Sequence, residues 1–371
     1  MDSRSGPSLV GSKAGAITTK GAGMSDRDTN DNQEGDGSED GGGLLGTAAD
    51  LTELVTTGVP APIRRSLFKV LGRLTTAVVE YPVTLLDNAI KERKAESNAR
   101  VRLIDASKTQ IAKQMKVDPA YAQAAASKFA QRIVRERVNV DQIAALAVQE
   151  LAKLPLPDQL PSNSPEDRSD VDEDWLNVFE GEAAQVSSEH AQKIFAKILA
   201  GEINRPASFS KKTIKLISQL DNRAAHLFSL ACSMSVSLQR SGSVVDARVL
   251  GLGQIGQNSL AAYGMPYGAC VILQEYGLVV SDLSGYTDYQ ITQRVDGTVL
   301  LPLTHQNEHW MLAKQQGQAR SEMRLEGMQF TASGCELLSI VELQPVPEYT
   351  EAMRTFLRNQ FHVELMKIVN A

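Results

Sequence analysis

Three short stretches hold side chains of the types that do chemistry. His305-Gln306-Asn307-Glu308-His309 has the HxxEH form, in which two histidines on one helical face bind zinc and the glutamate moves the proton. That chemistry needs a long helix and a third ligand. Here Pro302 precedes the motif, and Val299–Leu303 and Trp310–Leu312 read as two strands joined by a polar turn. A hairpin is therefore the expectation, with His305, Glu308 and His309 as the metal set only if a helix forms instead. Gly251-Leu252-Gly253-Gln254-Ile255-Gly256 matches GxGxxG after the strand-like run Val244–Leu250. A dinucleotide phosphate would need a helix to follow, but Gly264 and Pro266 cut it short, and the stretch reads as a glycine turn. Asp170, Asp172 and Asp174 imitate the start of a calcium loop, yet Trp175 stands where glycine is required, so an acidic helix start is the better account. No GxSxG or Walker sequence occurs. The expectation is a non-enzymatic chain with no cofactor and no catalytic residue.

The elements around these stretches read as mainly α, with N-terminal and middle helical bundles and a smaller C-terminal α+β region that has winged-helix-like features. Residues 1–43 form a Gly, Ser and Asp-rich tail expected to be disordered, with Met24 inside it as a second possible start. A basic helical domain follows over 44–153. Val59-Pro60-Ala61-Pro62 introduces a helix whose Ile63, Leu67, Val70, Leu71, Leu74 and Val78 share one face, with Arg64, Arg65, Lys69 and Arg73 mostly off it. A second helical stretch runs from Val83 to about Met115, a third from Asp118-Pro119 to about Arg137, and a fourth from Asp141 to Lys153. Residues 154–173 are a proline-rich and acidic linker, 174–236 a helical bundle, and 237–371 the α+β domain. In the last, Gly277–Val280, Thr298–Leu301 and Glu322–Leu325 read as strands, and helix returns at Gly334–Val341 and Glu348–Gln360.

The net charge of -6 is unevenly spread. Residues 1–50 carry 4 basic and 9 acidic side chains, residues 60–153 carry 17 and 9, and acidic residues predominate beyond. A basic surface of this kind meets an anionic partner, and Arg64, Arg65, Lys69 and Arg73 are the candidate contacts to a protein partner or an anionic membrane surface. Homo-oligomers are a further expectation. Nucleic acid is the weaker reading, because aromatics are scarce near these cations. Cys232, Cys270 and Cys335 lie far apart without a CxxC pair, and no signal-peptide-like or membrane-spanning apolar run occurs. These features point to a cytoplasmic chain, peripheral at the inner membrane if the basic helix binds lipid.

Asp174-Trp175-Leu176, Ser187-Ser188-Glu189, Ile194-Phe195-Ala196-Lys197-Ile198-Leu199-Ala200-Gly201-Glu202-Ile203 and Pro206-Ala207-Ser208-Phe209-Ser210 follow one another in an order that resembles a widespread bacterial family of unknown function. The same stretch, Asp174 to Leu230, is similar to the middle of the Abi-alpha abortive-infection proteins, with Phe195 in the tryptophan position of their WAxILAGE-like helix. Leu273–Leu278 and Phe330–Leu338 are similar to the C-terminal part of that family, and also to winged-helix modules. The resemblance implies a non-catalytic bacterial interaction protein acting in antiviral defence. The competing expectation is a DNA-binding transcriptional regulator using the winged-helix-like region.

Overall fold

Pro60 is the residue before the first helix, α1 (Ala61–Leu74), and Pro62 sits in its first turn, where a missing N–H is harmless. The computed structural model describes residues 59–75, 113, 116–154, 170–240, 243–253, 257–314 and 321–368. The tail, Met24, Val78, nearly all of the helical stretch from Val83 to Met115, and the linker prolines lie outside these residues. The described residues belong to one unit, Gly43–Ala371.

Along α1, Ile63, Leu67, Val70, Leu71 and Leu74 are all buried, so its apolar face is part of the core. Helix α2 (Pro119–Lys153) begins where Asp118 accepts a hydrogen bond from the Ala120 amide at 2.9 Å. It runs unbroken for 35 residues, which corrects the expected stop at Arg137 and restart at Asp141. No glycine or proline interrupts Val138-Asn139-Val140. The Asn139 amide, which could have competed for local backbone, instead donates to the Ala184 carbonyl at 2.9 Å.

Four further helices each start on a side-chain cap: Asp172 for α3 (Glu173–Ala183), Ser188 for α4 (Glu189–Asn204), Ser210 for α5 (Lys211–Gln219) and Asp221 for α6 (Asn222–Met234). Trp175 stacks on Phe179 at 5.1 Å between ring centroids, and Phe179 meets Phe195 at 5.7 Å. The segments Gly201-Glu202 and Pro206–Ser210 form a tight corner. Ala207 takes a φ of 65°, and the buried Glu202 carboxylate accepts from the amides of Ala207 at 2.6 Å and Phe209 at 3.0 Å. Burial pushes the Glu202 carboxyl above its ordinary range, partly opposed by these amides. Trp175 Nε1 donates to the Phe209 carbonyl at 2.7 Å. A Cβ on Gly201 would stand 2.7 Å from the Phe209 ring, so glycine lets the turn close onto the helix.

The chain then becomes a sheet, nine strands among the described residues. These are β1 (Val236–Arg240), β2 (Ser243–Leu250), β3 (Val279–Val280), β4 (Tyr286–Asp288), β5 (Gln293–Arg294), β6 (Leu303–His305), β7 (Glu308–Ala313), β8 (Arg324–Phe330) and β9 (Glu364–Lys367). The main path is β3-β8-β2-β1-β6-β7-β5, with β4 on β8 and β9 on β7; every pairing is antiparallel except β5 with β7. Helices α7 (Tyr267–Glu275), α8 (Ala332–Leu338) and α9 (Pro347–Phe361) complete it. The fold is thus mainly α, with helices first and the smaller sheet region last. Thr298–Leu301 is not a strand as expected. Asp296 and Gly297, at φ of 49° and 80°, close a turn bridged from Val295 to Thr298, and the Leu301 amide donates to Ile291. One continuous set of buried apolar side chains extends from Ile63 to Leu365.

Candidate functional site

The HxxEH stretch spans the β6–β7 hairpin, with Gln306 and Asn307 at φ of 52° and 61° as its two turn residues. Thr304 pairs with His309, and His305 with Glu308, so the two histidines project from opposite faces. His305 is buried: Nδ1 donates to the Ser235 carbonyl at 2.9 Å, and Nε2 lies 3.1 Å from the Thr350 hydroxyl of α9. Glu308 pairs with Lys367 at 2.6 Å. These residues do not form one ligand set, and among the described residues no three His, Cys, Asp or Glu side chains cluster as a metal site.

Burial pushes the His305 imidazole below its usual value near 6.5, with Arg354 acting in the same direction and the Ser235 bond and Glu308 against it. The folded state therefore favours the neutral ring. Its stability contribution is intact above pH 6.5 and falls as the pH drops through that value, because the unfolded chain takes up the proton first. Melting curves from pH 8 to 5 should show a slope of up to about 1.4 kcal/mol per pH unit from this group. His305→Gln should flatten that part of the profile.

The other two motifs dissolve into local structure. Asp170 pairs with Lys69 at 2.7 Å, Asp172 caps α3 and lies 3.2 Å from Lys211, and Asp174 lies 3.6 Å from the same lysine. Gly251 and Gly253 come directly after β2, as the run Val244–Leu250 suggests, whereas Gln254-Ile255-Gly256 lie outside the described residues. The next element is a five-residue 3-10 turn, Ser259–Tyr263, closed by Gly264 at φ 83°. That turn offers a phosphate no α-helix N-terminus.

Of the four cations on α1, Lys69 holds Asp170, and Arg73 holds the Glu173 carboxylate and the Asn177 amide oxygen. Arg64 is half-buried and Arg65 exposed. The structure therefore uses two of these cations to bind the acidic start of α3 and Asp170 just before it, about 100 residues away in sequence.

Two features that motif reading missed have the character of recognition surfaces. One is the first half of α2: from Pro119 to Val138 its residues are exposed or half-buried, whereas Asn139–Leu151 supplies the buried face. Tyr121 (67% exposed), Phe129 (49%), Val134 (62%) and Val138 (40%) lie open beside Lys128, Arg132 and Arg135. This half spans about 28 Å at 1.5 Å per residue. The signal was present in the alanine-rich, basic composition of 119–137, which offers few residues large enough to anchor a core.

The other is a cleft of about 1620 Å³ between the sheet and the helices. Its floor is the polar face of β1 and β6, with Ser237, Gln239 and Thr304; α4 and the corner after it face the floor, and α8 with residues 338–343 forms a wall. Cys335 also lines it, but burial and the nearby Asp246 carboxylate push its thiol up to about 12, far from a reactive thiolate at neutral pH. Beneath the floor, Arg248 is fully buried. It donates to both carboxylate oxygens of Asp246 at 3.3 Å, to the Gly285 carbonyl at 2.9 Å and to the Leu325 carbonyl at 3.1 Å. The Tyr289 hydroxyl donates to Asp246 at 2.7 Å.

A family model described as a protein of unknown function, DUF2806, matches residues 123–354. The matched span holds the cleft and most of the exposed half of α2, and begins after α1. Neither curated proteins nor solved structures return a match.

Proposed function

Because this chain belongs to the DUF2806 family of proteins of unknown function, we propose from its surfaces that it is a non-enzymatic interaction protein that docks an acidic protein partner on the first half of α2. The observation that carries this reading is the helix itself, anchored in the core by its second half and open along its first. Apolar groups on it are distributed around a basic ridge: Phe129 and Val134 are roughly 140° apart at 3.6 residues per turn. A bilayer interface accepts one apolar stripe, whereas a protein surface can engage apolar groups on either side of a ridge. Arg132 is paired with Glu136 at 2.6 Å, but a second copy of the chain would still bring Lys128 and Arg135 against like charges, which favours an acidic partner.

A membrane role for α1 is energetically less favourable. Releasing its five buried apolar side chains would cost roughly 10 kcal/mol at 1.5 to 3 kcal/mol each, comparable to the whole stability of a domain. Among the described residues no helix is long and apolar enough to cross a membrane.

The cellular setting we propose is antiviral defence by abortive infection, supported by the Abi-alpha resemblance across α3 to α6. Phage plating on bacteria carrying the gene should fall at least 100-fold against an empty vector, with culture collapse at high phage dose. Tyr121→Ala/Phe129→Ala/Arg135→Glu should abolish protection while leaving the melting temperature within a few degrees, and Arg64→Glu/Arg65→Glu should retain it. No protection against a broad phage panel would remove the defence setting. Protection that survives the triple change would remove the α2 docking surface.

A further inference from the structure

We propose that the cleft between the sheet and the helices takes an extended, uncharged peptide segment of a partner protein, added as a strand along the outer edge of β2. The reason lies in where β8 leaves the sheet. It pairs with β2 only from Arg248 to Leu250, after which Thr331 caps α8 and draws the chain away. From Ser243 to Asp246 β2 pairs with β1 on one side and with no described strand on the other. Ser243 is exposed, and Val245, the bulged residue in the β1 register, is 57% exposed. Ala247 marks the end of this open edge, its amide facing the Cys335 thiol. An unpaired edge is recognised by another extended backbone, whose N–H and C=O groups complete the ladder.

The cleft beside the edge fits such an occupant in chemistry and size. Ser237, only 3% exposed, lines the floor and presents a hydroxyl there. Gln239 and Asn307 add further amide groups to the lining. The charged side chains of the lining have partners within the protein: Lys197 with Glu342 at 2.8 Å, Glu150 with Lys153 at 2.7 Å, Asp246 with Arg248, Glu336 with the Ser210 amide at 2.8 Å, and Arg205 with the Ser208 hydroxyl at 3.1 Å. With three opposite-charge pairs in the lining and one carboxylate and one guanidinium held by neutral groups, the cleft has no excess of either sign and favours an uncharged ligand. At about 1620 Å³ the cleft exceeds the roughly 300 to 1,000 Å³ of a small-molecule pocket and suits a polymer lying along it. This inference is independent of the α2 surface.

A random seven-residue peptide library selected on the full chain tests it, followed by hydrogen exchange with the selected peptides. The expected result is enrichment of uncharged peptides, at least tenfold slower exchange of the Val244 amide, which points away from β1, when they bind, and at least tenfold weaker binding to Val244→Pro. Gln239→Trp, which fills the cleft and leaves the edge backbone intact, should weaken binding to the same degree, with unchanged circular dichroism as the control for folding. The proposal is overturned if no peptide is enriched, if enriched peptides protect another segment, or if they bind Gln239→Trp as tightly as the original chain. It is equally overturned if the Val244 amide is already protected in the chain alone, because its own undescribed residues would then cover the edge.

Discussion

Gly334→Ala is expected to destabilise the protein by more than about 4 kcal/mol, enough to prevent recovery of folded chain at 37 °C. Gly334 lies in α8 where the helix crosses Leu278, and a Cβ there would overlap the Leu278 carbonyl oxygen and press on the Phe330 ring. Backbone cannot move aside as a side-chain tip can, so relief requires separating α8 from the β3 end of the sheet. The same contact is tied from the other side, since the Thr331 hydroxyl donates to the Gly277 carbonyl at 2.6 Å and accepts from the Gly334 amide at 3.1 Å. Gly181 of α3 supplies the contrast: a Cβ there meets nothing within 4 Å, and Gly181→Ala should stabilise by about 0.5 to 1 kcal/mol. Urea unfolding followed by circular dichroism distinguishes the two. A Gly334→Ala protein with an ordinary midpoint would mean that α8 and Leu278 are not in contact.

Asp246→Ala is expected to cost about 3 to 5 kcal/mol, because it strands the fully buried Arg248 guanidinium without its counter-charge. The change also leaves the Tyr289 hydroxyl without its acceptor; burial first, and then the Asp246 charge, holds that phenol in its neutral form. Pairing the change with Arg248→Met should recover most of the loss, since an apolar replacement of both partners removes the desolvation penalty along with the attraction. The double-mutant cycle in urea is the measurement. If the two losses simply add, Arg248 is stabilised by the Gly285 and Leu325 carbonyls and not by Asp246.

The resemblance-bearing segments have a structural explanation. Gly201, Glu202 and Phe209 close a corner, Trp175 secures it, and Ser210 caps α5 while its amide donates to Glu336 across the cleft. These residues explain why the middle helices pack against the sheet as they do. They identify a shape; they supply no nucleophile, base or metal ligand.

Short-range chemistry is the part of this molecule that can be read from the chain alone. Asp118, Ser188, Ser210 and Asp221 begin helices because each side chain reaches an amide two or three residues ahead, and the polar pair Gln306-Asn307 marks a turn, with asparagine the one of the two that tolerates positive φ. The stripe Ile63, Leu67, Val70 and Leu71 is apolar on one helical face whatever it packs against. Long-range packing settled the rest. Only the core tells that this stripe is covered, and only the bonds of Lys69 and Arg73 to residues about 100 positions away tell that these cations hold the chain to itself. Likewise Asp141 has the chemistry of a helix start, but Asn139 bonding to Ala184 and Val140, Ile143 and Ala147 in the core carry the helix through it. The open edge of β2 was not legible at all. It exists because β8 departs after three paired residues, and a strand's missing neighbour leaves no mark on its own residues.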